Sequence, residues 1–207
     1  MNLVKELFIV RHGQTDFNKA RIVQGRGINS SLNKKGKQQA KALFEGYKDH
    51  SFDAIYASAL VRTHQTIELF ETLDYTIQKT PNLDEIDWGK HEGKVGTPAS
   101  EAEYVRLRQS WNDGNYHTKI EGGESPIEVQ TRLQLFVDEL HQQNHHKVLV
   151  CTHGRTSRIL LCMLLGWELL RMEEFQHRNT GVAKLIPAGE KYELAFFNNI
   201  DHLENYV

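Results

Sequence analysis

An α/β fold, with a mostly parallel central sheet and helices on both faces, follows from three observations. The apolar run Phe8-Ile9-Val10 stops abruptly at Arg11-His12-Gly13. The run Phe52–Ala57 ends at Ser58, and a helix opens within the next few residues. Lys147–Thr152 ends at His153-Gly154 and runs into a helix from Thr156 to Leu165 that is apolar nearly all round. Short buried strands that alternate with helices build parallel sheets. Parallel strands place their carboxyl ends on one edge, where open α/β sheets keep their ligand crevice. His12 and His153 are therefore expected to meet across one cleft.

Composition bounds the function. The chain has 207 residues, 39% hydrophobic and 25% charged, with a net charge of −2. That fits one folded domain over residues 1–207, with a sizeable core. The charge gives no global pull toward nucleic acid, and the basic stretch lacks interleaved aromatics. No apolar run reaches ~18 residues, so no membrane span is expected. Glu6 interrupts the first apolar stretch and no small-residue cleavage site follows, so a signal peptide is not expected either. Cys151 and Cys162 are the only cysteines. Free buried thiols in a reducing cytoplasm are their simplest reading. Residues 1–48 hold ten Lys or Arg against three Asp or Glu. A solvated face around Lys34, Lys35 and Lys37 and a funnel for anions both suit that excess.

The remaining elements fall in order. Residues 19–32, with Gln24-Gly25-Arg26-Gly27, read as a loop able to wrap an anion, as do many surface loops. From Asn33 a helix buries Ala40, Leu43, Phe44 and Tyr47 at helical spacing. Arg62 stands in the first turn of the next helix, against the dipole preference, which suits a side chain that reaches an anion. His64 has no partner at useful spacing and reads as structural. Tyr75–Thr80 predicts a third strand. Leu83–Gly93 is too irregular for a regular element and carries Asp84, Glu85, Asp87 and Glu92. His91-Glu92-Gly93 lacks the second histidine of a zinc site, and no metal is expected. Tyr104, Leu107 and Trp111 mark a helix face after Pro98. Ser125, Pro126 and Glu128 form a helix start with a capping box. Leu133, Phe136, Val137 and Leu140 make that helix's buried stripe, and His141, His145 and His146 its solvated tail. Glu173–His177 predicts a short helix. Residues 178–185 enter a strand that pairs with Tyr192–Phe197 as an edge hairpin.

Arg11-His12-Gly13 with Thr15 and Asn18, Ser58-x-x-x-Arg62, Leu83-x-Glu85-Ile86 with Glu92-Gly93, and His153-Gly154 together resemble the histidine phosphatase (phosphoglycerate mutase-like) superfamily. The likeness runs from Phe8 to Leu185. It implies that family's three-layer sandwich. It also implies a catalytic set of His12, Arg11, Arg62, Glu85 and His153, with Asp84, Asp87 and Glu92 as rivals for the acid. Thr15, Asn18, Gln24, Gly25 and Gly154 would bind substrate, Glu124 would line the pocket, Asn179 would support it, and residues 94–124 would cover the site and set substrate choice.

A phosphate monoester is a dianion, and paired guanidinium donors match its oxygens. Arg11 and Arg62 take that role, joined by His153. An arginine cannot lose its charge and attack, whereas a neutral imidazole can, so His12 is the expected nucleophile. Its second nitrogen would donate to the Gly13 carbonyl. Glu85 would protonate the leaving group and later activate water. The expected substrate is a small phosphorylated metabolite and the product inorganic phosphate, with no cofactor, no nucleic acid and no membrane, in a monomer or homodimer. The family's mutases add arginines after the acid and a longer C-terminal tail. Here Arg106 and Arg108 are the one close pair and the tail ends at Val207, which favours hydrolysis over phosphoryl return. Arg155 departs from the family's small or apolar residue. It suits either a second anionic group of the substrate or a carboxylate outside the site.

Overall fold

The computed structural model describes residues 3–206; Val207, on which the tail expectation rests, lies outside them. Six strands form one sheet: β1 (Glu6–Arg11), β2 (Ala54–Ser58), β3 (Ile77–Thr80), β4 (Lys147–Thr152), β5 (Val182–Ala188) and β6 (Lys191–Asn199). Their order is β3-β2-β4-β1-β5-β6. The first four run parallel, while β5 and β6 add an antiparallel edge.

Period-two alternation assigns the two faces. Phe8 and Val10 of β1 join Ile55, Ala57, Leu149 and Cys151 in one core. Helices α2 (Lys34–Tyr47) and α3 (Val61–Ile67) cover it through Leu43, Tyr47 and Ile67. Leu7 and Ile9 point the other way and join Tyr56, Val148 and Val150. That face is closed by α5 (Pro126–Gln142) and α6 (Gly154–Leu165), with Leu133, Phe136 and Leu161. The result is the expected three-layer sandwich. A further helix, α4 (Pro98–Asn112), buries only Leu107 and Trp111.

Register decides the site. Arg11 pairs with Thr152 across β1 and β4. The next residues, His12 and His153, therefore leave the sheet side by side. Ala57 pairs with Cys151, so Ser58 emerges beside them. Because β5 runs antiparallel to β1, the segment that leads into it returns Asn179 to the same edge.

Several boundaries differ from expectation. A five-residue helix, α1 (Asp16–Ala20), follows the opening motif, capped reciprocally by Thr15 and Asn18. The short helix expected over 173–177 lies earlier, as 3₁₀ turns over Leu169–Glu174, after Gly166 ends α6 in a left-handed conformation. His141 is half-buried rather than solvated: its ring stacks on Tyr192 and burial lowers its pKa. Lys34, Lys35 and Lys37 are exposed on α2. No described helix is long and apolar enough to cross a membrane.

Candidate active site

The carboxyl edge of the sheet opens into a cavity of about 580 Å³ lined by Arg11, His12, Phe17, Asn18, Gln24, Glu85, Trp88 and Tyr104, among others. His12 is 2% exposed. Its Nδ1 lies 2.7 Å from the Gly13 carbonyl oxygen. A carbonyl only accepts, so Nδ1 carries the proton and Nε2 keeps its lone pair. Burial first, then the charges of Arg62 and Arg11, push the His12 pKa well below the ordinary histidine value. The ring is therefore neutral. Asn179 Nδ2 donates to the His12 carbonyl at 2.9 Å and fixes the backbone.

His153 caps α6 and is wholly buried. Its ring centroid is 5.1 Å from that of His12. Arg62 Nε donates to its Nδ1 at 3.2 Å, so its Nε2 carries the proton and donates to Ser58 Oγ at 2.7 Å. Burial and Arg62 lower its pKa well below the usual value. Before an anion enters, His153 is therefore a hydrogen-bonding partner that holds Arg62 in place and not a third standing cation beside the arginines.

The two arginines are unusual. Arg62 is wholly buried and donates to His153, to the Ile28 carbonyl at 2.6 Å and to the Gly25 carbonyl at 3.2 Å. Burial lowers its pKa to about 10. Guanidinium carries five N–H groups, and three are engaged here. Arg11 NH1 donates to the His177 carbonyl at 2.7 Å, while its buried Nε has no partner. Among the described residues neither guanidinium forms an ion pair. Buried charges are normally paired, so two lined up without carboxylate partners are arranged for an anion.

Glu85 follows β3, again beyond a strand's carboxyl end. Its segment is pinned by Thr152 Oγ1 on the Leu83 carbonyl, by Thr156 Oγ1 on the Asp84 carbonyl, and by Arg132 on the Asn82 and Glu85 carbonyls. The Glu85 side chain meets the N-terminus of α6. Thr156 N donates to Oε1 at 3.0 Å and Arg155 N to Oε2 at 3.1 Å. Oε1 also accepts from Ile86 N and Thr156 Oγ1. Oε2 has the single partner. Of the four rival carboxylates, Glu85 lines the cavity. Asp84 instead accepts from Ala59 N and pairs with Arg26. Glu92 accepts from Trp88 N, and Asp87 from Gly89 N.

Other expected residues lie elsewhere. Thr15 is wholly buried and its hydroxyl is engaged by Asn18 N and Gln24 Nε2. Gly25 lies behind the wall, where a side chain would overlap Glu92 and the Ile86 carbonyl. Gly154 packs against Arg11 and Glu85. Glu124 does not line the cavity; it pairs with Arg132 and Arg26 and accepts from Asp87 N. Arg155 does not reach substrate space. Its guanidinium pairs with Glu173 and donates to Tyr104 Oη at 2.9 Å. The carboxylate that neutralises it lies 18 residues on, in an irregular turn. Phe17, Trp88 and His91 line the cavity without having been expected there, while Arg21 comes from the loop read as anion-wrapping and Glu101 and Tyr104 from the segment that the resemblance places over the site. The Thr15-x-x-Asn18 capping pattern would have flagged the turn that presents Phe17.

Proteins similar in sequence point the same way. The chain is 27% identical over 200 residues to the putative phosphoserine phosphatase 2 of Hydrogenobacter thermophilus, covering 96% of this chain and 98% of that one. It is 28% identical to the probable phosphoglycerate mutase GpmB of Erwinia tasmaniensis, covering 97% and 95%. Among solved structures, phosphoserine phosphatase of Entamoeba histolytica in complex with 3-phosphoglyceric acid superposes with a TM-score of 0.82 at 26% identity, covering 96% and 98%. The model of the histidine phosphatase superfamily, branch 1, matches residues 7–200. With its paired histidines and unpaired arginines inside that span, the chain belongs to the histidine phosphatase superfamily.

Proposed function

We propose that the protein is a phosphomonoesterase acting on small phosphorylated metabolites through a phosphohistidine on His12. The observation that carries this is the His12 ring itself: neutral, with Nδ1 locked to Gly13 and Nε2 left as a nucleophile beside two guanidinium groups that form no ion pair among the described residues.

The reaction balances on residues of this chain. Arg11 and Arg62 take the phosphoryl oxygens. The His12 Nε2 lone pair attacks phosphorus, and the P–O bond to the organic group breaks. The departing oxygen takes a proton from Glu85, for which Oε2, with its one partner, is the position. Water then attacks phosphorus, Glu85 takes its proton, and the P–N bond breaks. Inorganic phosphate leaves and Nε2 regains its lone pair. Positioned acid–base help of this kind contributes ~10²–10⁴ in rate. Preorganised cations facing the developing charge contribute more.

Hydrolysis is favoured over phosphoryl return by where Arg106, Arg108 and Arg155 lie: Arg106 lines a neighbouring hollow and not the cavity. Arg108, at 3.1 Å, and Arg155 both pair with Glu173. Neither is left to grip a second phosphate. Phosphate release from a panel of esters by the intact protein and by His12→Ala tests the reading. Release by the first alone supports it. Conversion of 3-phosphoglycerate to its isomer without release would identify a mutase. The buried free thiols of Cys151 and Cys162 suit a cytoplasmic enzyme.

A further inference from the structure

Arg155 and Tyr104 form a pair that the reaction above does not use. Resting on the phosphomonoesterase reading, we propose that Tyr104 is a hydrogen-bond donor that selects the organic part of the ester, positioned by Arg155 and Glu173. The substrates it favours are phosphomonoesters whose carbon skeleton carries an oxygen acceptor, a hydroxyl or a carboxylate.

A guanidinium has donors only. The 2.9 Å bond between Arg155 NH2 and the phenol therefore makes Tyr104 Oη the acceptor. Its own proton is left to donate elsewhere. Among the described residues the phenol donates to no other group, while its side chain lines the cavity that also holds His12 and Glu85. A neutral donor held in that way discriminates strongly. A ligand that displaces water from this half-buried donor but lacks the acceptor leaves it unsatisfied.

The phenol is held rigidly. Arg155 is 5% exposed and ion-paired with Glu173. Its guanidinium carbon lies 5.3 Å from the Trp111 ring centroid and 6.0 Å from that of Trp88, within cation–π range. Trp88 in turn meets Tyr104 edge to face at 5.6 Å. Glu173 also takes Arg108 of α4, four residues beyond Tyr104, and Arg158 of α6. One carboxylate thus fastens the helix that carries Tyr104 to the helix that carries Arg155. The backbone N–H of Arg155 holds Glu85 Oε2. The proton donor and the selecting phenol therefore share one support. Phe17, Ile22, Val23 and Trp88 complete the wall and suit a carbon skeleton between the two ends.

Kinetics with defined esters test this. Phenyl phosphate offers no acceptor on its organic part; phosphoserine, 3-phosphoglycerate and glycerol 2-phosphate do. The wild type is expected to turn over at least one of the three with a higher kcat/KM than phenyl phosphate. In Tyr104→Phe, the ratio of kcat/KM for that ester to kcat/KM for phenyl phosphate is expected to fall at least tenfold. The ratio is independent of how much variant is folded. In Glu173→Gln the same ratio is expected to fall at least threefold, through KM more than kcat. An unchanged ratio in Tyr104→Phe overturns the proposal, as does a wild type that prefers phenyl phosphate to all three. Those results leave the phosphatase reading standing. Failure to release phosphate from any of the four esters overturns both.

Discussion

The imidazoles of His12 and His153 face each other at 5.1 Å between centroids, tilted by 59°, yet no hydrogen bond joins them. Each has its own tie: His12 to the Gly13 carbonyl, His153 to Ser58 and Arg62. The two rings therefore fail differently when removed. His12→Ala loses the proposed nucleophile, and phosphate release is expected to fall to background, with no acid-labile phosphate on the chain after quenching. His153→Ala keeps the nucleophile but frees Arg62 Nε. Turnover is expected to fall ~10²–10³-fold, the scale of one lost preorganised donor, with labelling still detectable. Labelled His12→Ala, or unlabelled His153→Ala with normal turnover, contradicts this division.

Glu85 is separated from its rivals by position, so its variant has a specific signature. Glu85→Gln keeps most of the side chain's shape but has no proton to give. Alkyl esters, whose leaving oxygen needs that proton, are expected to slow by ~10²–10⁴. 4-Nitrophenyl phosphate, whose leaving group departs unprotonated, is expected to lose far less in the phosphorylation step. Equal losses for the two ester types, measured by the burst of the first turnover, would remove Glu85 as the acid.

Acid affects stability before it affects the nucleophile. His177 is 6% exposed, and burial, then Arg11 and Arg158, lower its pKa to about 3. Unfolded, it takes a proton near 6.5. Between those values the unfolded chain holds more protons, so stability is complete above pH 6.5 and falls as pH drops toward 3. His12 and His153 act with the same sign. Each group contributes a slope of at most about 1.4 kcal/mol per pH unit. Denaturant melts between pH 6 and 4 are expected to show this loss, and His177→Gln to flatten it. Meanwhile His12 stays neutral, so the acid limb of kcat/KM is expected below the usual histidine range. A wild-type acid limb at 6.5, with an ester whose own phosphate titrates well below that, would contradict the geometry.

Arg62 holds three acceptors from one planar group. Lysine carries the charge but not the fork. Arg62→Lys is expected to lose ~10²-fold or more in kcat/KM, because the Ile28 and Gly25 carbonyls and His153 Nδ1 cannot all be reached while the substrate is held. Rescue to near wild-type rates by lysine would reduce Arg62 to a point charge.

What the sequence reveals and what it hides divide along range. The strand–His–Gly junctions were legible because apolar runs and glycine are local signals, and parallel pairing then brings the two histidines together at the register Arg11–Thr152. The Ser125–Glu128 capping box was legible for the same reason. Tyr104 was visible as one position on a helix face, in a segment that the resemblance places over the site, but with no role of its own. Its function depends on Arg155, 51 residues away. Arg155 itself stood undecided between substrate and carboxylate, because Glu173 lies in an aperiodic turn that gives no spacing to read. The resemblance put Thr15 in contact with substrate, yet its hydroxyl is engaged within its own turn, where Asn18 donates to it.

Gly36 separates packing from helix propensity most sharply. It stands in the first turn of α2, where alanine would ordinarily gain about 1 kcal/mol. A Cβ there, however, would overlap the Gln14 carbonyl oxygen and lie 2.9 Å from the Gln14 nitrogen and 3.0 Å from its carbonyl carbon. All three are backbone atoms, so no rotamer relieves the contact. Gly13 faces the same seam, with the Gly36 carbonyl oxygen 2.8 Å from where its own Cβ would stand. The seam holds the turn that supplies the Gly13 carbonyl to His12. Gly36→Ala is therefore expected to destabilise by ~1–3 kcal/mol, the scale of overpacking. It should also lower kcat under conditions where the protein remains folded, because the turn shifts with the helix. Lys37→Ala, one residue on and exposed, removes a solvated side chain and should change neither. A gain in stability for Gly36→Ala would show that α2 can withdraw from the turn, and that the Gly13 carbonyl is held by something other than this seam.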